Sequence, residues 1–374
     1  MSTAVGENER RVLQRDPNPY LFRPLTIRSV TIKNRIMLSP MCQYSAVDGE
    51  MTDWHFAHLG ARATGGAGIV FTEVVHTEAR GRITSHCLGL WNNEQRDRMK
   101  RVVDFIGSQG AVPAMQLGHA GRKGSAARPW DGGKPIPVAE GGWETISPTA
   151  RPFAEGWAPA VPMTRDTLRR TVEGFAQAVQ RAREAGFRII EIHAAHGYLI
   201  HQFLSPLSND RQDEYGGSFA NRIRFLLETL DAARASWPQE LPMFLRISST
   251  DWVEGGWTLD DSIALARILK ERRDVDLIDC SSGGIDPRQQ IPVHPGYQAP
   301  FAAAIRAQSG MMTGAVGLIH SPDLAESILA NGQADIVVLG RTLLADPVWP
   351  LRAAQQLKAA GVKWPVQYER AKIF

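Results

Sequence analysis

Two histidines three residues apart, His193 and His196, stand with a tyrosine two positions later, Tyr198. An imidazole pair at this spacing can be half of a metal site, but the segment supplies no third ligand nearby. It can also be a pair of core side chains with satisfied hydrogen bonds, or two donors aimed at one oxygen, which would polarise a carbonyl or nitro group. Tyr198 adds a weak acid within reach of the same place. The segment Ser39-Pro40-Met41-Cys42-Gln43-Tyr44 carries a thiol. A nucleophilic Cys42 would need a base or cation beside it, and the segment has none; the ordinary alternative is a buried small apolar side chain. Arg246 ends an apolar run and has no acidic neighbour in sequence before Asp251, so it calls for an anionic partner. Gly317 and Gly340 permit close backbone approach, and Arg341 can pair with a phosphate through two parallel hydrogen bonds; structural turn glycines are the alternative.

These residues share a position relative to the secondary structure. Eight short apolar runs are spaced along the chain, at 35–41, 67–75, 112–117, 188–193, 242–247, 275–280, 314–319 and 335–339. Segments of helical period follow most of them, at 167–186, 221–236, 259–273 and 322–331. Ser321-Pro322 reads as an N-cap with proline at the first helical position, and Gly186 and Gly332 suit the left-handed residue after a helix. Eight βα units, with strands apolar enough to be buried on both faces, predict an α/β fold of the (β/α)8 TIM barrel type. An open doubly wound sheet is the alternative, but no G-x-G-x-x-G follows a strand. In a barrel the strand C-terminal ends form the active site. There lie Ser39 to Tyr44, Val74, Gln116, His193 to Tyr198, Arg246, Gly283 and Gly284, Gly317, and Gly340 with Arg341. Two segments fall outside the repeat. Residues 25–33 alternate apolar and polar side chains, which predicts a hairpin plugging the barrel bottom. Residues 119–164 form a Gly-, Pro- and Trp-rich connection long enough to cap the mouth.

Composition narrows the function classes. The chain has 374 residues, 42 Lys plus Arg against 39 Asp plus Glu, a formal charge of +3 and 43% hydrophobic residues. No basic run suits a polyanion, and no apolar stretch nears the roughly 18 residues of a membrane span. Nucleic acid and membrane are therefore not expected partners, and the charged N-terminus reads as cytoplasmic rather than secretory. Three cysteines, Cys42, Cys87 and Cys280, show no C-x-x-C spacing, so no disulfide framework or metal site is expected.

The runs SPMCQY at 39–44, EIHAAHGYLIHQFLSPLSNDRQDEYGGSFANRIRF at 191–225 and ADIVVLGRTLLADPVW at 334–349 resemble the old yellow enzyme family of FMN-dependent ene-reductases. The resemblance extends from about Leu21 to Arg370 and implies one FMN-binding barrel domain over 1–374, with a flexible stretch at 1–20. It implies FMN lined by Ser39, Pro40, Met41, Cys42, Val74 and Gln116, with Arg246 at its N1/O2 edge and Gly283, Gly284, Gly317, Gly340 and Arg341 around its tail. NADPH or NADH would reduce the flavin. His193 and His196 would then bind the oxygen of an enone, maleimide or nitroalkene, and Tyr198 would donate the proton. Cys42 resembles the bacterial thermophilic-like subclass, where cysteine at this position tunes the flavin potential, and Tyr44 matches its substrate-contacting tyrosine. The tail at 363–374 resembles an arm reaching a neighbouring subunit, with Arg370 shared across a homodimer or dimer of dimers. Ala371-Lys372 departs from the glycine and aromatic residue that often follow that arginine. Two other classes compete with this reading: a flavin-free barrel lyase or aldolase, which would need a Schiff-base lysine or a metal set at a strand end (Lys123 lies just past the third strand, but no strand-end lysine is positioned for it), and a non-catalytic ligand-binding barrel.

Overall fold

A computed structural model describes residues 18–372. Most of the stretch expected to be flexible, 1–17, lies outside the described residues, as do 373 and 374. Tyr20, at the edge of that stretch, is held: the backbone N–H groups of Tyr20 and Leu21 donate to the Glu326 carboxylate at 2.8 and 2.9 Å.

Strands β1 (Leu25–Ile27) and β2 (Val30–Ile32) form the antiparallel hairpin. Its side chains Ile27, Val30 and Ile32 are buried. Its turn is bonded to residues that precede later barrel strands: Arg28 Nε donates to Asp276 at 2.7 Å, and the Ser29 N–H donates to the Glu240 carbonyl at 3.0 Å. The hairpin therefore closes the N-terminal end of the barrel. The barrel strands are β3 (Ile36–Leu38), β4 (Ile69–His76), β5 (Val112–Gly118), β8 (Ile189–Ala194), β9 (Met243–Ser248), β10 (Leu277–Ser281), β11 (Met312–Val316) and β12 (Ile336–Leu339). The two remaining strands, β6 (Ile146–Ser147) and β7 (Val161–Pro162), pair with each other inside the capping segment. All neighbours in the barrel pair in parallel, and β12 closes onto β3. That is the (β/α)8 barrel the alternation predicts.

The helices bury their apolar stripes against this barrel. In the helix Arg165–Ala185, Leu168, Thr171, Phe175, Ala178, Val179 and Ala182 are buried at intervals of three and four residues. Thr164 caps its start by accepting from the Thr167 N–H, and Gly186 ends it at φ +96°. Ser321 caps the helix Pro322–Ala330 in the same way. Two boundaries differ from expectation. The segment predicted as one helix at 221–236 starts earlier, where Ser218 supplies a cap, and is two helices, Phe219–Arg222 and Arg224–Ser236. The seventh strand starts at Met312 and ends at Val316, where Gly317 (φ +125°) and Leu318 (φ +51°) leave the extended region.

Strand β4 carries a register shift between Phe71 and Val74, a local irregularity of the kind that re-aims side chains near active sites. At its end, His76 is buried with neither ring nitrogen bonded among the described residues. Burial, with His119 and Arg82 nearby, holds its pKa down to about 3. The unfolded chain protonates this ring near pH 6.5 and the folded chain does not, so the stability it contributes is complete above pH 6.5 and is lost as pH falls towards 3. Denaturant titrations between pH 7 and 4 are expected to show stability falling by up to about 1.4 kcal/mol per pH unit from this group, and His76→Phe should flatten the slope. An unchanged slope in that variant would contradict the assignment.

Candidate active site

The strand C-terminal ends converge on one mouth. His193 lies at the end of β8 and is buried, with Nδ1 unbonded among the described residues. Its ring stands edge-on to His196, with centroids 5.1 Å apart, and to Tyr198 at 5.2 Å. His196 Nε2 is 2.6 Å from Ser281 Oγ at the end of β10, and the His196 N–H donates to Ser248 Oγ at 2.9 Å. Burial and Arg246 push both imidazoles well below their ordinary pKa, so each is neutral at pH 7 and offers one N–H. Tyr198 is pushed the other way by burial, well above the ordinary phenol range, and keeps its proton.

Cys42 and Tyr44 pack with Tyr198 against a small apolar cluster of Val74, Ile83, Cys87 and Ala120. Burial, with Cys87 and Glu73 nearby, raises the Cys42 thiol well above its usual range, and Tyr44 lies in hydrogen-bonding reach of it. The thiol is neutral, which disfavours the nucleophile reading. Cys87 belongs to this same cluster, and burial with Glu73 nearby raises its thiol to about 12. Cys280 is buried in the main core.

Arg246 requires a correction. In sequence it has no nearby acid, but in the sheet its neighbour on β10 is Asp279, whose Oδ2 lies 3.1 Å from Nε. The angle does not make a hydrogen bond, and Arg246 Nε and both Asp279 oxygens remain unbonded among the described residues. The other end of the guanidinium donates to Ser39 Oγ at 3.0 Å. Gln116 donates to Glu191 at 2.8 Å, which leaves its amide oxygen as the acceptor end. Glu191 and Asp279 are both held above the carboxylate range by burial, and the first also by the second, while Arg246 opposes the shift. The acid predicted to be the nearest to Arg246, Asp251, is bonded to His201 instead.

A cavity of about 520 Å³ opens beside these groups, lined by Ser39, Pro40, His196, Arg246, Gly317 and Gly340 among others, with Arg341 at its rim. Arg341 is exposed and makes no ion pair among the described residues. A Cβ on Gly340 would point between Met41 Sδ, 3.4 Å away, and Ser39 Cβ, 3.8 Å away. Gly283 and Gly284 do not line this cavity. A Cβ on Gly284 would lie 2.5 Å from the His196 backbone, so that glycine is explained by the close packing of two mouth turns.

Several further residues complete the mouth. Lys123 donates to the carbonyls of His196 and Gly284 at 2.8 and 2.9 Å, and its ammonium lies 5.1 Å from the Tyr198 ring centre. Burial lowers its pKa to about 7. Trp130, from the capping segment, meets Tyr44 edge-on at 5.7 Å. His55 Nε2 pairs with the buried Glu73 Oε1 at 3.0 Å, beside the Gln43–Tyr44 backbone. This pair shapes the loop that carries Cys42.

Residues 20–360 match the NADH:flavin oxidoreductase / NADH oxidase family. The chain belongs to this family. An NADPH dehydrogenase of Geobacillus sp. (strain WCH70) is 47% identical over 356 residues, 95% of this chain and 99% of that protein. One from Bacillus subtilis (strain 168) is 46% identical over 352 residues, 94% and 98% of the two chains. Among solved structures, morphinone reductase superposes with a TM-score of 0.77 at 26% identity, covering 94% of this chain and 92% of that one. A 2-naphthoyl-CoA reductase complex superposes with a TM-score of 0.82 at 28% identity over 90% of this chain, which spans only 52% of that longer one. As a family member the chain is an FMN-dependent oxidoreductase reduced by a nicotinamide nucleotide. The lyase, aldolase and non-catalytic readings fall.

The residues present fit FMN. The cavity volume lies within the roughly 300–1,000 Å³ of ligand pockets. Arg246, with an unbonded Nε, is available to an electron-rich ring edge, and the exposed Arg341 on the same lining is available to a phosphate. The raised thiol makes a prediction. Alkylation of Cys42 by iodoacetamide at pH 8, followed by mass spectrometry, is expected to run at least about tenfold slower than for an ordinary exposed thiol. A rate equal to that of free cysteine would contradict the neutral-thiol assignment.

Proposed function

We propose that this flavin oxidoreductase is an NADPH dehydrogenase of the old yellow enzyme type that reduces activated C=C bonds in enones, maleimides and nitroalkenes, with NADH as the weaker reductant. The observation that carries this reading is the convergence of two neutral imidazoles and a protonated tyrosine on a single mouth beside the FMN-sized cavity. Ser39, Pro40, Met41, Val74 and Gln116 would line the isoalloxazine, Arg246 would face its N1/O2 edge, and Gly317, Gly340 and Arg341 would hold the phosphate. Gly283 and Gly284 contribute by shaping the loop above.

When bound, FMN supplies hydride exchange at N5. His193 and His196 hydrogen-bond the carbonyl, imide or nitro oxygen and draw charge from the alkene, which makes the β-carbon the better hydride acceptor. Because both rings are neutral, they polarise without giving up a proton. Tyr198 delivers its phenolic proton to the α-carbon and recovers one from solvent. Cys42, neutral and half-buried against Tyr44, tunes the potential of the flavin instead of attacking substrate, which is the subclass reading. Tyr44, and Arg370 from a second subunit, close the substrate space.

The tail favours that sharing. Val366–Ala371 forms a short 3-10 helix in which Val366 and Tyr368 expose apolar surface and Arg370 is exposed. We accordingly take the assembly to be a homodimer or dimer of dimers and its compartment to be the cytoplasm. No described helix is long and apolar enough to cross a membrane.

The purified protein should be yellow, absorbing near about 450 nm, and should oxidise NADPH when given cyclohexenone or N-ethylmaleimide. A colourless protein without this turnover would overturn the reading. Tyr198→Phe is expected to slow alkene reduction by about 100-fold or more while reduction of the flavin by NADPH changes little. Equal slowing of the two half-reactions would remove Tyr198 from the proton-donor role. Replacing both His193 and His196 by Ala should abolish the long-wavelength band that phenols give with oxidised flavin, a change visible in a simple titration; an unchanged band would remove the oxygen-binding role.

A further inference from the structure

The turn that joins the oxygen-binding histidines to the proton donor has an unusual backbone. His196 and Gly197 are consecutive left-handed residues, at φ +59° and φ +72°, and a non-glycine residue there costs free energy that its surroundings must offset. All four backbone polar atoms of the pair are held by side chains, two from distant parts of the chain and two from the helix that follows. The His196 N–H donates to Ser248 and its carbonyl accepts from Lys123. The Gly197 N–H donates to His201 Nδ1 at 2.8 Å, and its carbonyl accepts from Gln202 Nε2 at 2.7 Å.

The His201 contact fixes a proton. A backbone N–H can only donate, so Nδ1 must be bare and the ring proton must sit on Nε2. Nε2 lies 2.8 Å from Asp251 Oδ1. The second carboxylate oxygen of Asp251 accepts from Ser205 Oγ at 2.6 Å and from the Trp257 N–H at 2.7 Å. Both His201 and Asp251 are fully buried. Asp251 therefore sets the tautomer of His201, and His201 sets the Gly197 peptide. Tyr198 follows directly and precedes the helix Leu199–Leu204 that carries both His201 and Gln202. Neither member of the pair lines the cavity.

We infer that His201 and Asp251 are a positioning dyad which, through the Gly197 N–H, aims Tyr198 and His196 at the substrate. Nothing about the dyad requires it to touch substrate or flavin. A loss confined to the proton-transfer half of the reaction separates this role from a general structural one. That kinetic arm rests on the reading of Tyr198 as proton donor, whereas the backbone arm does not.

The test uses the FMN-loaded full chain and two variants. His201→Phe fills the space but offers no acceptor, while His201→Asn keeps an oxygen where Nδ1 lies. In His201→Phe, amide hydrogen exchange at Gly197 is expected to accelerate by about 100-fold or more while strand β8 stays protected. Reoxidation of the NADPH-reduced enzyme by cyclohexenone should slow by about tenfold or more, while reoxidation by ferricyanide, which needs no carbon protonation, should stay within about twofold. His201→Asn should recover most of both losses. Unchanged Gly197 exchange in His201→Phe, equal slowing with both oxidants, or an Asn variant no better than Phe would overturn the dyad. If the wild type reduced no enone, the proton-donor reading would fall and the exchange measurement would still decide the dyad. Should His201→Phe not fold, 15N NMR of histidine-labelled wild type decides: a bare Nδ1 and protonated Nε2 on His201 support the dyad, and a protonated Nδ1 overturns it.

Discussion

The mouth of this barrel depends on how closely two backbones are allowed to meet. The turn after β8 and the turn after β10 touch at Gly197 and Gly284, and a side chain on either would overlap the backbone of the other turn. That contact brings the carbonyls of His196 and Gly284 towards each other, an arrangement of like dipole ends that would be unfavourable unfilled. Lys123 places an ammonium between them. With no carboxylate bonded to it among the described residues, the cation bears its desolvation cost as a lowered pKa. The capping segment is thereby fastened to the two turns it covers, a role that Gln202 shares through the Ala120 carbonyl, the Arg122 N–H and Ser147.

Inside the barrel the same economy holds. Glu191, Asp279, Arg246 and Gln116 come from four different strands and meet in a space from which water is largely excluded. Two carboxyls and one guanidinium at close range favour a state in which the acids are not both ionised, so the cluster can present Arg246 to the cavity without an isolated buried charge. Ser39 anchors the other end of that guanidinium, tying the first barrel strand to the fifth.

Much of this was readable in the chain. The eight apolar runs predicted the barrel, and the motif containing His193, His196 and Tyr198 predicted which side chains share the mouth. Cap residues such as Ser321 and Gly186 predicted where helices begin and end. The missed features have one physical origin: they depend on neighbours across the sheet rather than along the chain. Asp279 is 33 positions from Arg246 yet is its register partner, and no local window contains both. Lys123 looked like a residue in a connecting loop because its acceptors are backbone carbonyls 73 and 161 positions away. The glycines at 283 and 284 look, in sequence, like a cofactor cradle; only the approach of Gly197 explains the second of them.

The hairpin at the barrel bottom closes one end of the barrel. Its side chains fill one end, and Arg28 fastens it to Asp276 and to the carbonyl of Arg273, so the bottom offers no passage. The cavity lies at the other end, among the loops that carry Ser39, Tyr297, Gly317 and Arg341. An FMN held in that cavity would have to be loaded from this end before the first turnover. Under the proposed function, reductant and alkene would share this end of the barrel, and an excess of either one would delay the other.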